Sequence, residues 1–215
     1  MDLGGFRGGF GARLRTASGD GATAQLAVAY GMLGALAAIV AIALGLDPLA
    51  CEPWLGEGGA LGVAASAALG VVLAACTIAG TRRVVRRFRW ARALHAVLRP
   101  GVRHAGDGAI VVMALASGIG EELFFRGLLT PLLGVALSSL AFGALHQVRG
   151  RARWAWAAWA TVMGLLFGVT FRLTGSIAGP VLAHVVINVA NLRFLRDTDL
   201  EPPGARALGG LLRHT

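Results

Sequence analysis

Apolar residues run almost uninterrupted through six stretches of this chain, at residues 24–46, 60–79, 108–129, 131–146, 154–173 and 176–195. The first, "AQLAVAYGMLGALAAIVAIALGL", is long enough at 1.5 Å per residue to cross a hydrocarbon layer of about 30 Å. It exceeds the apolar core of a signal peptide, about 7–15 residues, so it is expected to be retained. Polar positions cluster between these stretches. Residues 1–22 are glycine-rich, carry Arg7, Arg13 and Arg15, and read as a mobile cytoplasmic tail. Residues 47–59 carry Asp47, Glu52 and Glu57 and no arginine. Between residues 82 and 98 the pattern changes period: Val84, Phe88, Ala91, His95 and Leu98 recur at helical spacing, with Arg82, Arg86 and Arg89 opposite. That is the pattern of a helix lying in a membrane interface, and it makes His95 an interfacial residue, as is His104. The fourth and fifth segments abut, with Thr130–Pro131 as the one obvious break.

The pattern predicts an all-α, polytopic membrane helix bundle of about six transmembrane helices plus one interfacial amphipathic helix. Composition agrees. Of 215 residues 56% are hydrophobic and 14% charged, where soluble domains carry about 25% charged residues. Mean hydropathy is +0.68.

The net charge of +9 raises the question of nucleic acid, and its distribution answers it. Lysine is absent, and Arg82, Arg83, Arg86, Arg87, Arg89, Arg92, Arg99 and Arg103 fall in one interval between apolar segments. With no nucleic-acid motif present, that interval reads as a cytoplasmic, positive-inside signal in contact with anionic lipid head groups. Arg149, Arg151 and Arg153 mark a second inside loop, with Trp154, Trp156 and Trp159 at head-group level beside it, and Arg193 and Arg196 a third. Both termini are then cytoplasmic, in a plasma or inner membrane. Cys51 and Cys76 lie in a polar loop and an apolar segment, and no bridge is expected. Gly164 and Gly168 have the spacing of a helix-packing pair.

Chemistry enters with "SGIGEELFFRGLL", residues 117–129. An ionised side chain in mid-bilayer costs about 2.5–3.5 kcal/mol on insertion scales, so it persists where it is paired, hydrated or used. On an α-helix Glu122 and Arg126 share a face and neutralise each other. Glu121 is turned about 100° away and needs a partner from another helix or water. Gly118 and Gly120 permit close backbone approach. Two further polar pairs follow at the same i,i+4 spacing, Phe142 with His146 and His184 with Asn188, and Asn191 adds a turn to the second. Each has a structural reading: a helix-stabilising ion pair, an interfacial histidine, interhelical hydrogen bonds. A turn at Thr130–Pro131 sets Glu121 about 20 Å from the inner end of its helix and His146 near the inner end of the next. They meet only if the boundaries differ, the helices tilt or the turn is immersed.

The ordered set E-E-x-x-x-R (Glu121, Glu122, Arg126), F-x-x-x-H (Phe142, His146) and H-x-x-x-N (His184, Asn188) resembles the signature of the CAAX-processing and bacteriocin-processing (CPBP, Abi or Rce1-like) intramembrane proteases. The resemblance covers about residues 108–195. It implies an intramembrane endopeptidase acting on a membrane-associated peptide or protein, with no metal or other cofactor. Under it, Glu121 and His146 activate water, His184 and Asn188 stabilise the oxyanion, and Glu122, Arg126 and Phe142 support the site. The chain then divides into a tail (1–22), two transmembrane helices with the arginine-rich segment (23–106), a catalytic helical core (107–196) and a C-terminal tail (197–215). Two alternatives stay open: a non-catalytic immunity or scaffold protein keeping the fold, and a metal-dependent membrane protease with Glu121, His146 and His184 as ligands. A proton-coupled transporter is disfavoured, because no paired broken helices appear.

Overall fold

The computed structural model describes residues 6–56, 58–148 and 150–200. The readings placed on Glu57, Arg149, the side chains of Arg7, Arg13 and Arg15, and the C-terminal tail beyond residue 200 lie outside the described residues or side chains. The described residues are helical apart from loops and one isolated bridge, Ala50 with Ser176. The helices are α1 (Phe6–Ala43), α2 (Gly59–Arg87), α3 (Arg89–Leu98), α4 (Asp107–Glu122), α5 (Thr130–Leu145), α6 (Ala152–Thr174) and α7 (Ala178–Asp197). A π-helical segment, Leu123–Leu129, joins α4 to α5. The backbone of α1 therefore starts within the segment read as a tail, while its apolar span, Thr23–Ala43, begins where the pattern placed it.

Five helical stretches are long and apolar enough to span a bilayer among the described residues, and one of them, Asp107–Leu145, holds two of the six expected segments. The chain does not reverse at Thr130–Pro131, which stays helical, with Pro131 in the first turn of α5 where its missing N–H costs nothing. It reverses at Gly134, whose φ of 78° and ψ of 168° are open only to glycine. Contacts across the bend are those of an antiparallel hairpin. Thr130 Oγ1 and Ser138 Oγ are 2.8 Å apart, the Phe125 and Phe142 rings 4.8 Å, and Glu121 and His146 3.6 Å. A straight helix would hold the last pair about 37 Å apart. Gly134 follows Glu121 by thirteen positions and precedes His146 by twelve, so the arms match. The arm after the bend is about 16 Å long, half a bilayer.

Without a hydrophobic drive between helices in lipid, small residues that admit close backbones select the neighbours. A Cβ on Gly70 would meet the Gly179 backbone, and one on Gly179 would meet Ser66, joining α2 to α7. Ser66 Oγ accepts the Gly179 N–H and donates to Ser176 O, both at 2.8 Å. Gly34 and Gly120 seat α1 on α4, Gly118 receives Val185 of α7, and Gly164 and Gly168 receive Ser139 and Val135 of α5. The two Gly-x-Gly positions before Glu121 and the Gly164/Gly168 pair thus pack as their spacing predicts.

The arginine-rich interval divides differently from the expected pattern. Arg82–Arg87 completes α2, the backbone extends at Phe88, and only Arg89–Leu98 forms the amphipathic α3. His95 faces the bundle: it is buried, its Nε2 lies 2.9 Å from Thr198 O, and its ring meets Phe194 edge-on. The nitrogen finds a carbonyl and the ring an aromatic edge, which is why a buried position suits it. Of the three tryptophans placed at head-group level, Trp154 is exposed, whereas Trp156 and Trp159 line an internal cavity. Cys51 and Cys76 are both free.

Candidate active site

The sequence-predicted residues converge on one place in the bundle interior. Glu121 and Glu122 end α4, Arg126 sits in the π segment, Phe142 and His146 lie at the end of α5, and His184 and Asn188 lie in α7. A cavity of about 730 Å³ reaches this cluster from the α3 end of the bundle. Its size is that of an ordinary ligand pocket. Glu121, His146, His184, Asn188 and Phe142 line it, with Trp90, Leu94 and Leu98 of α3 at its far side.

The buried charges form a chain of contacts. Glu122 and Arg126 are almost wholly inaccessible, at 0% and 1% exposure. Arg126 Nη1 donates to Glu122 Oε1 at 3.1 Å, and Nη2 donates to the Gly164 carbonyl at 3.0 Å, tying the π segment to α6. The guanidinium carbon lies 4.9 Å from the Phe142 ring centre and 5.2 Å from that of Phe167, so aromatic faces replace much of its lost hydration. Glu122 Oε1 also takes His184 Nδ1 at 2.7 Å. His184 stacks on Phe167, with centroids 5.3 Å apart, and so has one ring orientation. The π segment directly follows the two glutamates; such wide turns inside α-helices occur mostly at functional sites.

Glu121 stands apart from that pair, as its helical offset predicts, and finds its partners on other helices. Its Oε2 is 3.6 Å from His146 Nε2 and 3.9 Å from His184 Nε2. Both separations exceed a hydrogen bond, and Oε2 is buried without a hydrogen-bond partner. His146 Nδ1 lies 2.7 Å from the Phe142 carbonyl. A carbonyl only accepts, so Nδ1 donates to it and Nε2 is turned to the glutamate side. Asn188 Nδ2 donates to Ser117 Oγ at 3.1 Å, which fixes the amide one turn beyond His184. Asn191 belongs elsewhere: it accepts from Arg82 near the end of α7.

Three participants escaped the sequence pattern. Ser117 and Phe167 are ordinary transmembrane residues until their partners are known. The third is Tyr30 of α1, which lines the same cavity and whose backbone packs on Gly120 beside Glu121. A signal was available, since Tyr30 is the single tyrosine of the chain and sits mid-span. Among the described residues, no three His, Cys, Asp or Glu side chains are grouped to hold a metal ion.

A helical membrane bundle with a carboxylate–imidazole cluster at the inner end of a cavity is the class that fold and site define. Over residues 108–190 the chain matches the family of type II CAAX prenyl endopeptidase Rce1-like proteins, a family of membrane proteases, as the three motifs imply. It is also similar to "Uncharacterized protein YpbD" of Bacillus subtilis (strain 168), with 33% identity over 79 residues. That stretch is 37% of this chain and 41% of the relative, so the match spans about two fifths of each. No solved structure matches the chain significantly.

Proposed function

We propose that the protein is an intramembrane endopeptidase that hydrolyses a peptide bond of a membrane-associated peptide or protein with a water activated by Glu121. The observation that carries this reading is the buried, unpartnered Oε2 of Glu121 facing His146 Nε2 at the end of a cavity. A water touching both atoms can give its proton to the carboxylate while the imidazole orients it, which is what general-base attack on an amide requires. As the carbonyl carbon becomes tetrahedral, its oxygen gains negative charge. Asn188 Nδ2 and the His184 ring, held at Nδ1 by Glu122, are the groups on the adjacent helix that can face it. Arg126, Phe142 and Glu122 hold the frame without meeting substrate.

The Rce1-like match supports a protease, and the substrate enters the bilayer region through the cavity. The arginines of Arg82–Arg103 rest on anionic head groups at the cavity's end, and no nucleic acid is involved.

New N-termini in membranes of cells making the wild-type protein, compared with Glu121→Gln at equal abundance, test the activity. Cleavages confined to the wild type are expected, and their sequences name the substrate. Equal profiles would overturn the catalytic reading and leave a scaffold role. For the metal-dependent alternative, cleavage by the purified protein is expected to continue undiminished in excess chelator.

A further inference from the structure

The cavity extends beyond the catalytic cluster. Along α7 it is lined past Asn188 by Asn191 and Leu195, and there Thr81, Val84 and Val85 of α2 line it too. Two polar groups interrupt this otherwise apolar wall. Thr81 Oγ1 is buried and has no hydrogen-bond partner. Thr161, Thr170 and Thr174, also helical, turn their hydroxyls back to the carbonyl four residues earlier, at 2.9, 2.8 and 2.8 Å. Thr81 does not make that bond. A buried hydroxyl left unpaired is costly, and it calls for a partner that the folded chain alone does not supply. Asn191 is held from behind by Arg82, the residue next to Thr81. Arg82 donates from Nη1 to Asn191 Oδ1 at 3.2 Å and from Nη2 to the Ala190 carbonyl at 2.7 Å, with its guanidinium carbon 3.8 Å from the Phe194 ring centre. A guanidinium only donates, so the amide oxygen takes that side, and the NH2 is left over in a residue that lines the cavity.

We infer that Thr81 and Asn191 form a subsite for the main chain of the substrate, close to the scissile bond. Asn191 Nδ2 donates to a substrate carbonyl, and Thr81 Oγ1 accepts a substrate N–H. Asn191 lies three residues beyond Asn188, about 4.5 Å along the helix, and an extended peptide advances about 3.3 Å per residue. The groups bound here therefore lie within two residues of the bond that Asn188 faces. Val84, Val85 and Leu195 leave the surrounding wall to apolar side chains, so the hydrogen bonds of the subsite go to the backbone. The inference rests on the proteolytic reading and extends it to two substrate-binding residues, both outside the matched segment 108–190.

The probe is a fluorescent peptide spanning a cleavage site found in the membrane comparison. It is titrated onto the full-length Glu121→Gln protein in detergent micelles, so that binding is read without turnover. In that background Thr81→Val, which keeps the shape and loses the hydroxyl, and Asn191→Asp, which keeps an oxygen for Arg82 and loses the NH2, should each weaken binding about 3–10-fold, the range of one net hydrogen bond. Thr81→Val should also unfold at no lower denaturant concentration than its parent, because it loses only an unpaired group. Esters replacing the peptide's amides one at a time, within two residues of the scissile bond, should weaken binding about 3–10-fold at one position. At that position the ester should cost the Thr81→Val protein less than about twofold, since the acceptor for the missing N–H is already gone. Unchanged binding in either variant, a Thr81→Val protein less stable than its parent, or an ester penalty that persists in full without the hydroxyl overturns the inference and leaves the protease intact. Equal membrane profiles for wild type and Glu121→Gln would sink the proteolytic reading and the subsite with it. Should Asn191→Asp not fold, Thr81→Val and the ester series decide.

Discussion

Arg126 shows how much one side chain can carry at this depth. It is the cation for Glu122, the tie to the α6 backbone through Gly164 O, and the centre of an aromatic box made by Phe125, Phe142 and Phe167. Removing one member of a buried ion pair costs about 3–5 kcal/mol, because the other is left charged and unpaired. Arg126→Met is expected to destabilise the protein by that amount, measured by denaturant unfolding in micelles. Arg126→Lys restores the charge but not the fork that reaches Glu122 and Gly164 together, so it should recover only part of the loss. A lysine variant as stable as wild type would show that charge alone matters there. At the neighbouring donor, Asn188→Ala should lower kcat by about 10²–10³ with the fold intact, the usual cost of one oxyanion donor. The residues legible in the sequence were those linked by spacing along one helix: Glu122 with Arg126, Phe142 with His146, His184 with Asn188. Tyr30, Ser117 and Phe167 were not, since each acquires its role from a helix far away in sequence.

At the scale of elements, the decisive feature is a glycine that no hydropathy pattern marks. Gly134 lies inside "PLLGVALSS", as apolar as its surroundings, and Pro131 was the stronger turn signal. Proline fits the first turn of a helix as well as a break, so its presence does not locate the reversal. Moving the bend four residues on from Thr130 makes the two arms equal and lifts His146 to the level of Glu121, which removes the mismatch in depth that a turn at Thr130–Pro131 implies. Space around Gly134 is open, and a Cβ there would meet no atom within 4 Å, so the demand is purely conformational. Gly134→Ala is expected to cost about 1–2 kcal/mol, the usual strain of a side chain at positive φ. Activity should fall with it, because the substitution relaxes the bend that sets His146 against Glu121. Unfolding in micelles and the rate of cleavage at the sites lost in Glu121→Gln check the two halves of that statement. Helix α3 makes the complementary point. Its amphipathic period was readable, but its apolar face turns to the cavity and the end of α7, and so His95 is buried against Thr198 and Phe194 instead of lying among head groups.

For the whole molecule, the distribution of charge sorts the two ends of the bundle. The loop between α1 and α2 carries Asp47 and Glu52 and packs on the α6–α7 turn, with Cys51 N donating to Gly175 O at 3.1 Å. The opposite end gathers the arginines of Arg82–Arg103 with Arg193 and Arg196, the last two both paired to Asp107. Arginine holds a segment on the cytoplasmic side during insertion, so the cavity, which α3 lines, is expected to be reached from that side. Cysteine accessibility in intact cells tests this. Cys51 itself is a poor reporter: it is partly buried, its thiol donates to Phe171 O at 3.7 Å, and burial pushes its pKa up, so little reactive thiolate forms. In a chain with Cys51 and Cys76 replaced by serine, Glu52→Cys is expected to react with a membrane-impermeant maleimide added outside. Arg103→Cys should react only after the cells are opened. The reverse labelling would turn the bundle over, and with it the side from which a substrate reaches Glu121. Labelling of both positions in intact cells would mean that the arginines do not fix one orientation.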